Sequence, residues 1–197
     1  MKYGASNIGN TILKPHQLEV LIGGGNPDAD ILILGDDPEL YLNENLKTQK
    51  GSSGEFLYLL LEFCGIQKED IYVSTLTKRN ARLKDYMPED YEKLKELLIC
   101  QIGLLAPKVI VCLGYEAAQM LLEKEIVLEE ARQEVFSWKA GIQVLVTYDV
   151  NTVKKARAEL GKKAKLALEF RNDLKNWNIS SKNSEEGIMK SKTTLTL

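Results

Sequence analysis

Two adjacent carboxylates follow the first strongly apolar run of the chain, in Gly35-Asp36-Asp37-Pro38. An acid held beside a reacting bond can position a water and take its proton, which is general-base chemistry. A second polar group, Asp149 with Asn151, follows a later apolar run, and Thr75 closes a third with Lys78 and Arg79 just beyond it. If these runs are strands of one open α/β sheet, their carboxyl ends face a common crevice, where such sheets bind ligands. Taken singly, Gly, Asp, Pro and Asn are also turn formers, and Asp36 and Asp37 suit an Asx-type turn of two exposed acids. Cations gather elsewhere. Between Lys154 and Lys175 there are eight basic residues, Lys154, Lys155, Lys162 and Lys163 among them, against three acidic ones. That surplus can neutralise phosphates, and Lys78, Arg79, Arg82 and Lys84 could add a second cluster; a solvated basic helix face gives the same pattern. Gly51 and Gly54 leave room for backbone N–H groups to approach an anion.

The elements that must position these groups are legible in the apolar periodicity. Asp30–Gly35 is a short continuous apolar run after the turn Gly23-Gly24-Gly25-Asn26-Pro27, which predicts a strand buried on both faces. Asp70–Thr75, Lys108–Gly114 and Gln143–Tyr148 are three more. The Leu-rich stretch Phe56–Phe63, closed by Gly65, predicts a helix, as does the amphipathic stretch from Pro88 to Leu105 that stops before Pro107. Tyr115–Leu122 and a basic terminal stretch, Ala156–Trp177, complete the set. Strands alternating with helices predict a three-layer α/β/α domain with a central, mostly parallel four-stranded sheet.

The 197 residues predict one domain, and 44% hydrophobic with 27% charged residues is globular composition. The expected organisation is an N-terminal extension over 1–17, a domain over 18–177 and a flexible tail over 178–197, where Ser, Lys, Asn and Thr dominate. A net charge of -2 gives no global attraction to nucleic acid or an anionic membrane, so any such surface is local. No run is long enough for a membrane span and the first ten residues lack a signal-type apolar stretch, which predicts a cytoplasmic protein. One histidine, His16, excludes a multi-histidine metal site; Cys64, Cys100 and Cys112, without a C-x-x-C pair, argue against a disulfide framework or compact metal site.

The order and spacing of these segments over residues 18–177 resemble the uracil-DNA glycosylase superfamily, in particular its iron–sulfur, family 4-like branch. The stretches that carry the resemblance are Gly25-Asn-Pro-Asp-Ala-Asp30, Gly51-Ser-Ser-Gly54, Gln101-Ile102 with Pro107-Lys-Val-Ile-Val-Cys-Leu-Gly114, Thr147-Tyr148 and Asp173-Leu-Lys175. The resemblance implies cleavage of the bond between uracil and deoxyribose in a flipped-out nucleotide. It also implies roles for single positions. The family's first motif reads Gly35-Asp36-Asp37-Pro38 here, so Asp36 or Asp37 falls where an acid positions water. Gln49 falls at the ring that stacks on the base, Thr75 at the uracil-reading Asn, and Asp149-Val150-Asn151 at the His-Pro-Ser loop that stabilises the departing base. The cluster cysteines have no counterparts at Thr77–Asn80 or near Leu94, so no iron–sulfur cluster and no other cofactor is expected.

These departures imply a divergent member that binds DNA weakly through its local basic patch, with uracil excision lost or strongly reduced and with an unidentified protein partner conceivable. The alternative is an active DNA glycosylase for uracil or another damaged base, with Asp36 or Asp37 positioning water. A pocket of changed specificity is a further expectation, since Gln49 and Thr75 suit a different polar edge.

Overall fold

The computed structural model describes residues 21–78, 80–161 and 163–177. His16, Arg79, Lys162, the extension expected over 1–17 and the tail expected over 178–197 lie outside the described residues. Six strands form one sheet: β1 (Gly24–Gly25), β2 (Ile31–Gly35), β3 (Ile71–Thr75), β4 (Val109–Leu113), β5 (Val135–Ser137) and β6 (Gln143–Thr147), in the order β1-β3-β2-β4-β6-β5. The inner four are parallel and are the four strands expected from the apolar runs. β2 and β4 are buried at every position because each has a strand on either side and helices over both faces.

The sheet is wider than the sequence predicts by two antiparallel edge strands, β1 on β3 and β5 on β6. Both are too short to show a period. In β1 the reason is specific: Gly25 has φ +100°, and a Cβ there would lie 2.4 Å from the Ile71 carbonyl oxygen, so residues that read as a turn are glycines accommodating a neighbouring strand.

Side chains alternate across the sheet. Ile31, Ile33, Val109 and Val111 pack with Leu57, Leu61, Val153, Phe170 and Trp177, from helices α1 (Ser53–Phe63), α5 (Val150–Leu160) and α6 (165–177). Leu32, Leu34, Ile110 and Cys112 pack on the opposite face with Leu94, Leu98, Ile102, Ala117 and Leu121, from α2 (Tyr91–Leu105) and α3 (Tyr115–Leu122). The short α4 (Leu128–Ala131) precedes β5. Each fully buried Leu or Ile contributes about 1.5–3 kcal/mol of burial free energy, so both layers hold the sheet.

The basic helix expected over Ala156–Trp177 is two helices. α5 begins at Val150, capped by Asp149, and ends at Gly161, whose φ of 77° leaves the right-handed helical region before α6 starts.

The register sets the strand ends level. Gly35 is paired with Thr75 on one side and Leu113 on the other, and Leu113 with Thr147. The chain leaves β2 toward β3 and leaves β4 toward β6, so the order reverses between two neighbouring strands and a crevice opens above them. No helix among the described residues is long and apolar enough to cross a membrane.

Candidate functional site

A cleft of about 720 Å³ lies at this switch point. The turn after β2 supplies Asp36, Asp37, Pro38 and Glu39; the segment after β3 supplies Arg82, Leu83 and Lys84; α2 and α3 supply Tyr91, Glu116 and Gln119; the start of α5 supplies Asp149, Asn151, Thr152 and Lys155.

The two neighbouring acids have different surroundings. Asp37 is 2% exposed and both of its oxygens are committed. Oδ1 receives the Arg82 guanidinium at 3.0 Å and the Glu39 N–H at 3.1 Å, and Oδ2 accepts from the Asn151 amide at 2.5 Å. Asp36 has one backbone donor, the Leu83 N–H, 2.7 Å from its Oδ1. Burial pushes the Asp36 carboxyl up to about 6; the Leu83 hydrogen bond opposes that shift and the Glu116 carboxylate adds to it. A group titrating there can exchange a proton near neutral pH.

Asp149 caps α5: its Oδ1 accepts the N–H groups of Asn151 at 2.9 Å and Thr152 at 3.1 Å. Burial holds its carboxyl above the ordinary range, the Thr152 N–H lowers it, and the Asp37 charge raises it again. Gly114 separates Asp149 from Glu116. A Cβ on Gly114 would stand 3.2 Å from the Asp149 Cβ and 3.6 Å from Glu116 Oε2. Acids thus reach the cleft from three strand ends at once.

Asp36, Asp37, Asp149, Asn151 and Lys155 are therefore brought together, whereas other candidates are not. Gln49 sits exposed in the turn before Gly51, outside the cleft lining. Thr75 is 1% exposed at the end of β3, and its carbonyl accepts from Lys78. Lys78 itself requires a correction. It is 2% exposed with Nζ donating to Ser74 Oγ at 2.6 Å and to the Thr75 carbonyl at 2.7 Å, so from this position it reaches no phosphate. Burial lowers its ammonium to about 7.

Gly54 also has a packing role. A Cβ there would lie 2.2 Å from the Leu40 carbonyl oxygen, so the glycine lets α1 approach the turn after β2. Gly51 donates its N–H to Glu55 Oε2 at 2.6 Å and its carbonyl accepts from Lys154 Nζ. Lys163 is exposed, and of the described cations between Lys154 and Lys175 only Lys155 lines the cleft. Splitting the basic stretch into two helices is what disperses it. Glu116, Gln119 and Tyr91 were missed by sequence reasoning; the Gly114-Tyr115-Glu116 junction after a buried strand was the available signal for the first of them.

Thr147, Tyr148 and Asp173 belong to a different assembly. Arg132 donates through Nε and Nη2 to the two oxygens of Asp173 at 2.9 and 3.1 Å, and through Nη1 to the Tyr148 hydroxyl at 2.7 Å. Thr147 donates to Asp173 at 2.5 Å and Tyr148 to Glu169 at 2.7 Å. This knot ties α4, the end of β6 and α6 together.

With the geometry in place, the chain can be set beside known proteins. The model of the uracil DNA glycosylase superfamily matches residues 22–175. The chain belongs to that superfamily. It is similar to the type-4 uracil-DNA glycosylase of Archaeoglobus fulgidus, 36% identical over 102 residues, which is 50% of each chain. A second relative is the type-4 uracil-DNA glycosylase of Thermotoga maritima, 28% identical over 135 residues, 68% of this chain and 70% of that one. The type-4 enzyme of Pyrobaculum aerophilum is 27% identical over 112 residues, 56% of this chain and 57% of its own. The chain thus spans about half the length of two of these relatives.

The iron–sulfur cluster implied by this branch can be tested against the residues present. Cys112 is buried within β4 facing α2 and α3, Cys64 is half-buried at the end of α1 on the other face, and Cys100 is exposed on α2. Leu94, near the position of a cluster ligand, is buried among apolar residues. No group of three metal-ligating side chains converges among the described residues. These residues do not fit a cluster held by four thiolates.

Proposed function

We propose that the chain is a divergent uracil-DNA glycosylase superfamily protein whose strand-end cleft is a nucleobase pocket, with excision of uracil lost or strongly reduced. The observation that carries this reading is Asp149. It caps α5 at the cleft wall, and if it corresponds to the His-Pro-Ser loop of the related branch, as the resemblance implies, its carboxylate opposes the negative charge that departing uracil accumulates. The neighbouring acid Asp37 is bound by Arg82, Asn151 and the Glu39 N–H, which leaves it little capacity to position water. Residues 18–177 form the functional unit, and DNA is held weakly through Lys155 and the exposed Lys163.

The test is single-stranded DNA carrying one uracil, incubated with the purified chain. Excision absent or very slow is expected, any residue of it vanishing in Asp36→Asn. Robust excision overturns the reading. A second reading, an active glycosylase that hydrolyses the bond of uracil or another damaged base, is favoured by Asp36 alone, which lines the cleft with one backbone donor and titrates near neutrality.

A further inference from the structure

Breaking a nucleoside bond leaves an electron pair on the base nitrogen. Uracil carries that pair away as an anion, so its departure is helped by a cation or by hydrogen-bond donors at its edge. A base that is already cationic, such as an N-alkylated purine, becomes neutral in the same step. It has no developing anion to stabilise, and an acid beside it favours the bound state.

The cleft has the features the second case needs. Five carboxylates (Asp36, Asp37, Glu39, Glu116 and Asp149) line it against three cations, and one of those cations, Arg82, is committed to Asp37. Asp36 is 8% exposed at the cleft wall and is held by a backbone donor, the Leu83 N–H on its Oδ1. A carboxylate has more acceptor sites than that one donor fills, which leaves capacity for a reacting water. Tyr91 lines the same cleft, and an aromatic face attracts a cation more strongly than a neutral ring. The volume of about 720 Å³ admits a purine.

We propose that this cleft takes a flipped-out, cationic N-alkylated purine of DNA, with Asp36 positioning the attacking water and Asp149 setting the preference for a positively charged base over uracil. The proposal rests on the cleft being a nucleobase pocket. In the reaction the water oxygen bonds to C1′ as the C1′–N bond breaks. The electron pair stays on the purine, which leaves neutral, and the water proton passes to the Asp36 carboxylate and on to solvent.

The experiment compares duplex oligonucleotides carrying one N7-methylguanine or one uracil, incubated with the full chain in single turnover at subsaturating protein, so that binding of the base and bond breaking are read together, and corrected for spontaneous depurination. Release of methylguanine at least about tenfold faster than uracil is expected, a difference of about 1.4 kcal/mol in barrier. Asp149→Asn isolates the charge, because Asn caps a helix about as well as Asp. That variant should be at least as stable as the wild type at pH 7 and shift the methylguanine-to-uracil ratio toward uracil by about tenfold. Asp36→Asn should abolish release.

If neither base is released above background, the proposal fails while the loss of uracil excision stands. If uracil is released as fast as methylguanine or faster, the proposal fails, and robust uracil release removes the proposed function as well. If both are released robustly with methylguanine ahead, the proposal holds and only the reading of lost uracil excision falls. An unchanged ratio in a folded Asp149→Asn protein removes Asp149 from the role given to it.

Discussion

The strand-end cleft and the knot around Arg132 are built from the same materials, carboxylates beside a guanidinium, with opposite bookkeeping of donors. In the knot, Arg132 covers both oxygens of Asp173, reaches Tyr148 and Glu169, and lies with its guanidinium 4.0 Å from the Tyr148 ring centre. In the cleft, one guanidinium serves Asp37, while Asp36 and Asp149 rest on backbone N–H groups. Both regions hold carboxylates raised by burial, Asp173 in one and Asp36 and Asp149 in the other. The saturated region holds elements together. The unsaturated one retains capacity for a ligand and strains the fold by keeping acids together.

Stability experiments can break that contrast. Arg132→Met, which leaves Asp173 with little beyond Thr147, should cost about 3 kcal/mol of unfolding free energy in urea titrations. A loss below about 1 kcal/mol, the range of exposed pairs, would make the knot a surface feature.

Asp36→Asn should act in the opposite direction. The folded carboxyl titrates at about 6 against an ordinary 3.8, so the protonated form favours the folded state. The contribution is fully present below about pH 4 and is lost as the pH rises through about 6, a change on the order of 2–3 kcal/mol. The Asn variant keeps an acceptor for the Leu83 N–H, lacks this pH dependence, and should equal or exceed the wild type in stability at pH 7. If it is clearly less stable at pH 7, Asp36 belongs with the saturated carboxylates.

Asn151→Ala sharpens the comparison within the cleft. It removes one of three donors to Asp37 and should cost about 1–2 kcal/mol, measured by the same titrations, because Arg82 remains in place.

The smallest effect concerns DNA. The double variant Lys155→Glu and Lys163→Glu should weaken binding to a nonspecific duplex and reduce the salt slope by about 1–2, one unit for each phosphate no longer neutralised. Lys78→Met, in folded protein, should leave the slope unchanged. A slope that falls in Lys78→Met would put that buried ammonium in contact with DNA after all.

The fold was more legible in the chain than the site was. Four buried strands are visible because runs such as Ile31–Leu34 are short, bounded by turn residues and apolar without alternation, as a strand covered on both faces is. Val135–Ser137 escaped because only its central residue is partly buried, and three residues show no period. Asp149 was legible as an acid beyond a strand, although its cap, which moves the start of α5 six residues upstream of Ala156, was not. Position-by-position likeness misplaced Gln49, since correspondence along the chain does not bring a side chain to the cleft, whereas Tyr91, a residue from a helix start, does line it.

What the sequence determined by itself was therefore local: the four inner strands, most of the helices, the acids at the strand ends and the family pattern they belong to. Those features depend on residues a few positions apart, through hydrophobic period, capping and turn chemistry. The tertiary structure alone decided which charged groups are paired, buried or open. Asp37 is bound by an amide 114 residues away and Asp36 by an N–H 47 residues away, while Lys78 is buried against Ser74, whose hydroxyl also meets Gln101, 27 residues further along. Charge, exposure and proton affinity are properties of what surrounds a group, and here the surroundings are assembled from distant segments.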